Sequence, residues 1–311
     1  METTLVLVAC AVMGLLIGSF LTVVVDRVPN GGSVIRPPSA CGSCGNRLTA
    51  LDLVPIGSWV ALRGRCRHCG APIGAEPLII ELSNAALFVA FGLKFGADVA
   101  LIAFCIMGSA LVAQVWIDLH TKRLPREITY TAIALSAPVL VVAALVNDEA
   151  ERIWQAALGA AIALAIMGLI YVASRGGMGD GDVRLSPLLG MHLGYLNPGI
   201  VPIGLFLGFL LGAVVGLIAM GVGGAGRKTA LPFGPFLAAG TVIAVFVGQD
   251  IVDLIWHGSS HVFQHTVQDA VHGGHQRDRH EPDDQTHEDD HDRLEHGGEP
   301  FDPELELTVE V

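Results

Sequence analysis

Charge is scarce in this 311-residue sequence: Asp, Glu, Lys and Arg together make up 15% of it, and aromatic residues only 6%. Set against 52% hydrophobic residues, so little charge excludes an ordinary soluble domain with a polar surface. Basic residues are outnumbered, 18 against 30 acidic ones, so there is no excess positive charge to attract nucleic acid, and none is expected as a partner. The N-terminus lacks the basic start of a secretory signal. The nine residues ahead of Cys10 also leave no room for a normal apolar region, so the lipoprotein-like Leu7-Val8-Ala9-Cys10 stretch is read as part of a helix. No strand pattern precedes Gly221-Val222-Gly223-Gly224-Ala225-Gly226, which formally fits G-x-G-x-x-G. That run is read as a flexible glycine loop rather than a nucleotide fingerprint.

What is present is apolar residues in long blocks. Residues 5–25, 78–95, 99–117, 128–146, 153–173, 203–222 and 231–256 are each long enough, or nearly so, to cross about 30 Å of hydrocarbon as a helix. A shorter block at 185–197 is ambiguous by length alone. Basic residues concentrate in alternate connections: Arg27, Arg36, Arg47, Arg63, Arg65 and Arg67 in the first, Lys122, Arg123 and Arg126 in another, then Arg175 and Arg184, then Arg227 and Lys228. The positive-inside rule makes these connections cytoplasmic, whereas the acidic Asp148, Glu149 and Glu151 suit the outer side. Keeping Arg175 and Arg227 on one side requires the short block to span. The sequence therefore predicts an all-α polytopic membrane protein of about eight transmembrane helices with both termini outside. It divides into a first helix at 1–26, a cytoplasmic loop domain at 27–77, a multi-helix membrane domain at 78–256 and a tail at 257–311.

The net charge of −12 belongs to that tail, which holds 15 acidic residues against 3 arginines, along with 9 of the 12 histidines. Such composition cannot bury enough surface to fold, so the tail is expected to be disordered. The pairs His261 and His265, His272 and His275, and His287 and His291 have spacings that bind metal weakly, but a solvated segment is the simpler reading.

The loop domain carries Cys41-Gly42-Ser43-Cys44 and Cys66-Arg67-His68-Cys69, paired C-x-x-C knuckles 21 residues apart. That spacing suits a structural zinc site, which lets a loop fold with little core of its own. Two disulfides are the alternative, but the arginine bias places the loop in reducing cytoplasm. His68 is read as a solvated neighbour, and Cys10 and Cys105, inside apolar blocks, as small buried hydrophobes.

Carboxylates at a bilayer edge are costly and usually functional. Asp118 closes the third block, Asp180 and Asp182 open the sixth, and Glu81 is the only acid within the second. The residues alone leave several roles open for the aspartates: a proton-sharing hydrolytic pair, helix caps, or ion-coupling groups of a transporter. A scaffold that recruits a partner through its cysteine loop also fits. Glu81 is either functional or sits at the interface with its charge in water.

GSFLTVVVDRVP at 18–29, the two knuckles, LRGRCRHCGAPI at 62–73, PLIIEL at 77–82, the 118–125 stretch DLHTKRLP, GMGDGDVRL at 177–185 and PFGPFLAAG at 232–240 follow one another as in the prepilin peptidases. The sequence resembles that family over roughly residues 5–250. The resemblance implies a membrane aspartic protease that removes the short basic leader of type IV pilin or pseudopilin precursors, with Asp118 and Asp182 as catalytic residues and Asp180 accessory. It also implies N-methylation of the new N-terminus with S-adenosylmethionine, in the cytoplasmic membrane of a bacterium. Thr22 stands where the family usually has Asn, Asp26 where it often has His, and Arg184 where it usually has Lys. The glycines flanking Asp180 are expected to supply backbone shapes closed to other residues.

Overall fold

The computed structural model describes residues 2–175, 177–221 and 232–277, of which 256–277 are described by backbone alone. Helices dominate: α1 (Glu2–Arg27), a short α2 (Gly57–Ala61), α3 (Glu76–Phe95), α4 (Ala100–Thr121), α5 (Arg126–Val146), α6 (Glu151–Ala173), α7 (Asp180–Leu196), α8 (Ile200–Gly221) and α9 (Gly234–Arg277). Seven of these are long and apolar enough to cross a membrane. The short block at 185–197 falls in α7, whose 17 residues are about 25 Å long at 1.5 Å each.

The shortness and polarity of α7 have a common cause, which is its position. From Leu185 to Tyr195 all its residues but Pro187 are buried, shielded by α4, α5, α6 and α8. A helix that other helices shield from lipid need not be apolar all round. Among the seven long apolar helices α4 is the most buried, at 67% against 17–39% for the other six.

Helices in lipid gain nothing from apolar contact alone, so association depends on close backbone approach and buried hydrogen bonds. Both are present. The backbone of Gly159 on α6 touches Gly190 and Gly194 on α7, leaving no room for a side chain at any of the three. Asn84 on α3 donates to the Gly14 carbonyl of α1 at 2.8 Å and accepts from Ser109 on α4 at 3.0 Å. Gln114 on α4 donates to Thr129 on α5 at 2.9 Å. These bonds tie the N-terminal helices to the central one.

Residues 1–258 form one compact unit and 259–311 a second. In the second, the backbone is helical as far as Arg277. Val262, Phe263, Val267, Ala270 and Val271 recur at helical spacing there, a periodicity that the mean polarity of the tail hides. The remaining tail residues, with His287 and His291, and the Gly223–Gly226 part of the glycine run, lie outside the described residues.

The glycine seam generates a direct expectation. Gly159→Val should lower the melting temperature of the detergent-purified protein, by about 1–3 kcal/mol of stability as overpacking usually costs. Gly168→Val on the same helix, where an added Cβ meets nothing within 4 Å, should leave it unchanged. Equal melting temperatures for wild type and Gly159→Val would contradict the packing described.

Candidate active site and metal centre

The four cysteines of the loop domain come together. Their sulfur atoms all lie within 4.8 Å of one another, and the Cys41 and Cys69 sulfurs are 3.9 Å apart. A tetrahedral ion at about 2.3 Å from each sulfur requires edges of about 3.8 Å, whereas a disulfide requires about 2 Å. The cluster is therefore built to hold a metal ion, and no disulfide forms among the described cysteines. Each knuckle folds the same way: the Cys41 amide donates to Asn46 and the Gly45 amide to Cys41, while the Cys66 amide donates to Ala71 and the Gly70 amide to Cys66. Gly45 and Gly70 both take positive φ, 71° and 70°, which glycine does without strain.

Backbone amides of Cys44 and Ser43, then the Cys66 thiol, hold the Cys41 thiol down at about 6, favouring the thiolate that a metal needs. The knuckles are braced by Asp52, whose carboxyl is held well below its usual range by the Thr49 hydroxyl and by Arg67, 2.7 Å away. His68 is exposed and stays out of the cluster. Cys10 and Cys105 are buried among apolar residues at 7% and 8% exposure.

The two aspartates sit at opposite ends of their helices and meet at one face of the bundle. Asp118 lies in the last turn of α4, which a left-handed Lys122 closes by donating its amide to the Asp118 carbonyl at 2.9 Å. Asp182 lies in the first turn of α7, where free backbone amides favour negative charge. Both carboxylates are nearly buried, at 5% and 6% exposure. They line one cavity of about 1400 Å³, together with the end of α1, the α4–α5 turn, the end of α6 and Phe233 at the start of α9. Asp182 Oδ1 is buried and has no hydrogen-bond partner among the described residues.

The Asp118 carboxylate accepts a 3.0 Å hydrogen bond from the Gly234 amide at the head of α9. A Cβ on Gly234 would lie 2.8 Å from that carboxylate oxygen, so only glycine permits the approach. Gly234 was not apparent as a site residue from the sequence. The available signal was a glycine wedged between Phe233 and Pro235, with a proline marking a helix start.

The glycines of the 177–185 motif act differently from the expectation. Gly179 has an ordinary φ of −71° and Gly181 lies within α7, so neither supplies an unusual backbone shape. At Gly181 what matters is the missing side chain, since a Cβ there would sit 2.9 Å from Leu124, whereas one on Gly179 would make only an ordinary 3.4 Å contact with the Asp182 carboxylate. Asp180 points outward, 61% exposed, and pairs with Arg184 one turn later.

Glu81 is buried at 6% exposure, so its charge is not in water at the interface as one reading had it. It accepts a 2.7 Å bond from the Ile56 amide. Thr22 donates back to the Ser19 carbonyl of its own helix at 2.6 Å.

The metal cluster generates its own expectation: elemental analysis of purified protein should find one ion per chain. Serine at any one of Cys41, Cys44, Cys66 or Cys69 should reduce that stoichiometry severalfold. Full metal content in a chain lacking two of them would contradict the cluster.

Comparison with known proteins agrees with this arrangement. Residues 12–95 match the family model described as the bacterial Peptidase A24 N-terminal domain, and residues 105–217 match that of the type IV leader peptidase family. Among similar proteins, a prepilin leader peptidase/N-methyltransferase of Bacillus subtilis is 32% identical over 242 residues, covering 78% of this chain and 94% of its own. One from Burkholderia pseudomallei is 35% identical over 285 residues, covering 80% and 87%. One from Aeromonas hydrophila is 32% identical over 268 residues, covering 76% and 89%. No solved structure matches the chain significantly. With relatives this similar along most of their length, the chain belongs to the type IV leader peptidase family.

Proposed function

We propose that this protein is a membrane-embedded aspartic endopeptidase that cleaves the basic leader from type IV pilin or pseudopilin precursors and then N-methylates the new N-terminus. The observation that carries the peptidase reading is the pair of buried carboxylates, Asp118 and Asp182, brought from two helices to one large cavity. Two such groups do not both ionise cheaply, so the pair holds one proton between them. The ionised member takes a proton from a water, whose oxygen attacks the scissile carbonyl. The protonated member donates to that carbonyl oxygen, and a proton then passes to the departing amine. The Gly234 amide fixes Asp118 throughout, a positioning role that costs no reorganisation during the reaction.

The charge of the connections supports a side for this chemistry. Arg27, Lys122, Arg123, Arg126 and Arg175 lie at the face that carries the cavity, while Asp98, Asp148 and Glu149 lie at the other helix ends. By the positive-inside rule the cavity and cysteine loop face the cytoplasm, both termini face outward, and the membrane is the bacterial inner membrane. Four thiolates in reducing surroundings favour zinc as the ion. S-adenosylmethionine supplies the methyl group, as the names of the relatives imply.

Mass spectrometry of the N-terminus of a co-expressed precursor tests both activities, since one spectrum reports cleavage and an added methyl. Asp118→Asn and Asp182→Asn keep shape but remove the titrating proton, so each should abolish cleavage. The double variant should be no worse than either single, because the pair acts as a unit. Asp180→Asn should cost less than about tenfold, about 1.4 kcal/mol of barrier. Gly234→Ala, which crowds the Asp118 oxygen, should slow cleavage by about 10- to 100-fold, the scale of a small misplacement. Mature pilin from Asp182→Asn membranes of equal protein content, with Asp180→Asn inactive, would overturn the assignment.

A further inference from the structure

We propose that a second cavity, between the four-cysteine loop and the ends of α1 and α3, binds S-adenosylmethionine, with Glu81 facing its sulfonium. This rests on the methylation reading above. The cavity has a volume of about 370 Å³, within the range of small-molecule sites. All its lining residues fall between Ser19 and Glu81, inside the segment matching the bacterial N-terminal domain and outside the segment matching the peptidase. Asp118 and Asp182 lie in the peptidase segment. Relatives whose name joins two activities thus share two segments with this chain, and each segment contributes its own buried carboxylate chemistry.

Glu81 gives this cavity its preference. Its side chain is nine-tenths buried, one oxygen accepts from the Ile56 amide, and the other has no protein partner among the described residues while the residue lines the cavity. Arg67, also in the lining, is paired with Asp52 at 2.7 Å and does not neutralise Glu81. A buried carboxylate in this state recruits a cation. The lining also includes Trp59, whose ring lies close to Gly64 and whose indole N–H donates to the Gly74 carbonyl at 3.2 Å. A fixed aromatic face attracts an alkylated cation or stacks on a purine.

Methyl transfer explains why a carboxylate belongs there. The neutral amine of the new N-terminus attacks the methyl carbon; the C–N bond forms as the C–S bond breaks, sulfur keeps the electron pair, and the amine loses a proton to water. The sulfonium charge disappears, so Glu81 holds the donor more strongly than the thioether product. Location also fits: Thr22 of α1 lines this cavity and Val28, just past the end of α1, lines the peptidase cavity. Six residues separate them, about 9 Å along a helix.

Calorimetric titration of the full-length, metal-loaded protein with S-adenosylmethionine and with S-adenosylhomocysteine tests this. Wild type and Asp118→Asn should both bind the donor more tightly than the product. Glu81→Gln, whose amide carbonyl still accepts from Ile56, should bind the donor at least tenfold more weakly and lose the discrimination, with metal content and melting temperature unchanged. Trp59→Ala should weaken both ligands. Donor affinity unaltered in Glu81→Gln and Trp59→Ala would overturn this location, whereas wild type binding neither ligand would overturn the methylation reading itself.

Discussion

Asp118 is held by the first amide of another helix, and the rest of the site is arranged to permit that bond. Inside a bilayer every backbone group within a helix is already engaged, so the only spare amides are those at helix starts. A carboxylate that must stay nearly buried therefore has to meet a helix N-terminus. Asp182 satisfies the same requirement differently, by lying in the first turn of its own helix. Placing both at one cavity demands that α4 end where α7 and α9 begin.

Close approach is the second constraint. Gly234 admits the Asp118 oxygen, Gly181 admits Leu124, and Leu124 also packs against Gly234. One leucine from the α4–α5 turn thus braces the supports of both aspartates. Away from the site, Gly159 with Gly190 and Gly194 sets the depth at which α7 lies in the bundle. A larger residue at Gly234 or Gly181 would crowd Asp118 or Leu124, and one at the glycines of the α6–α7 seam would force those helices apart.

Much of this was legible in the sequence because the signals were strong and local. Seven apolar blocks announced seven long apolar helices, and the ambiguous block at 185–197 proved to be a buried helix, α7. Paired C-x-x-C knuckles foretold a cluster that the sulfur distances bear out. Asp180, between two glycines, turned out exposed and paired with Arg184, while Asp182 turned out buried. What the sequence did not disclose depends on contacts between distant segments. Gly234 lies 116 residues from Asp118, and nothing in a single chain pairs them. The burial of Glu81 depends on the strained Ile56, at φ 55°, folding back over α3, which no helical periodicity encodes.

The hydrolysis proposed for the bundle depends on Asp118 and Asp182 sharing a single proton. The most direct measurement of that is the dependence of the cleavage rate on pH for the wild-type protein in reconstituted membranes under saturating substrate. A shared proton predicts a bell: activity falls at low pH as the second carboxylate protonates and no base remains, and falls at high pH as the last proton leaves and no acid remains. A rate that rises with pH and then stays level, the signature of a single base acting alone, would contradict the pair.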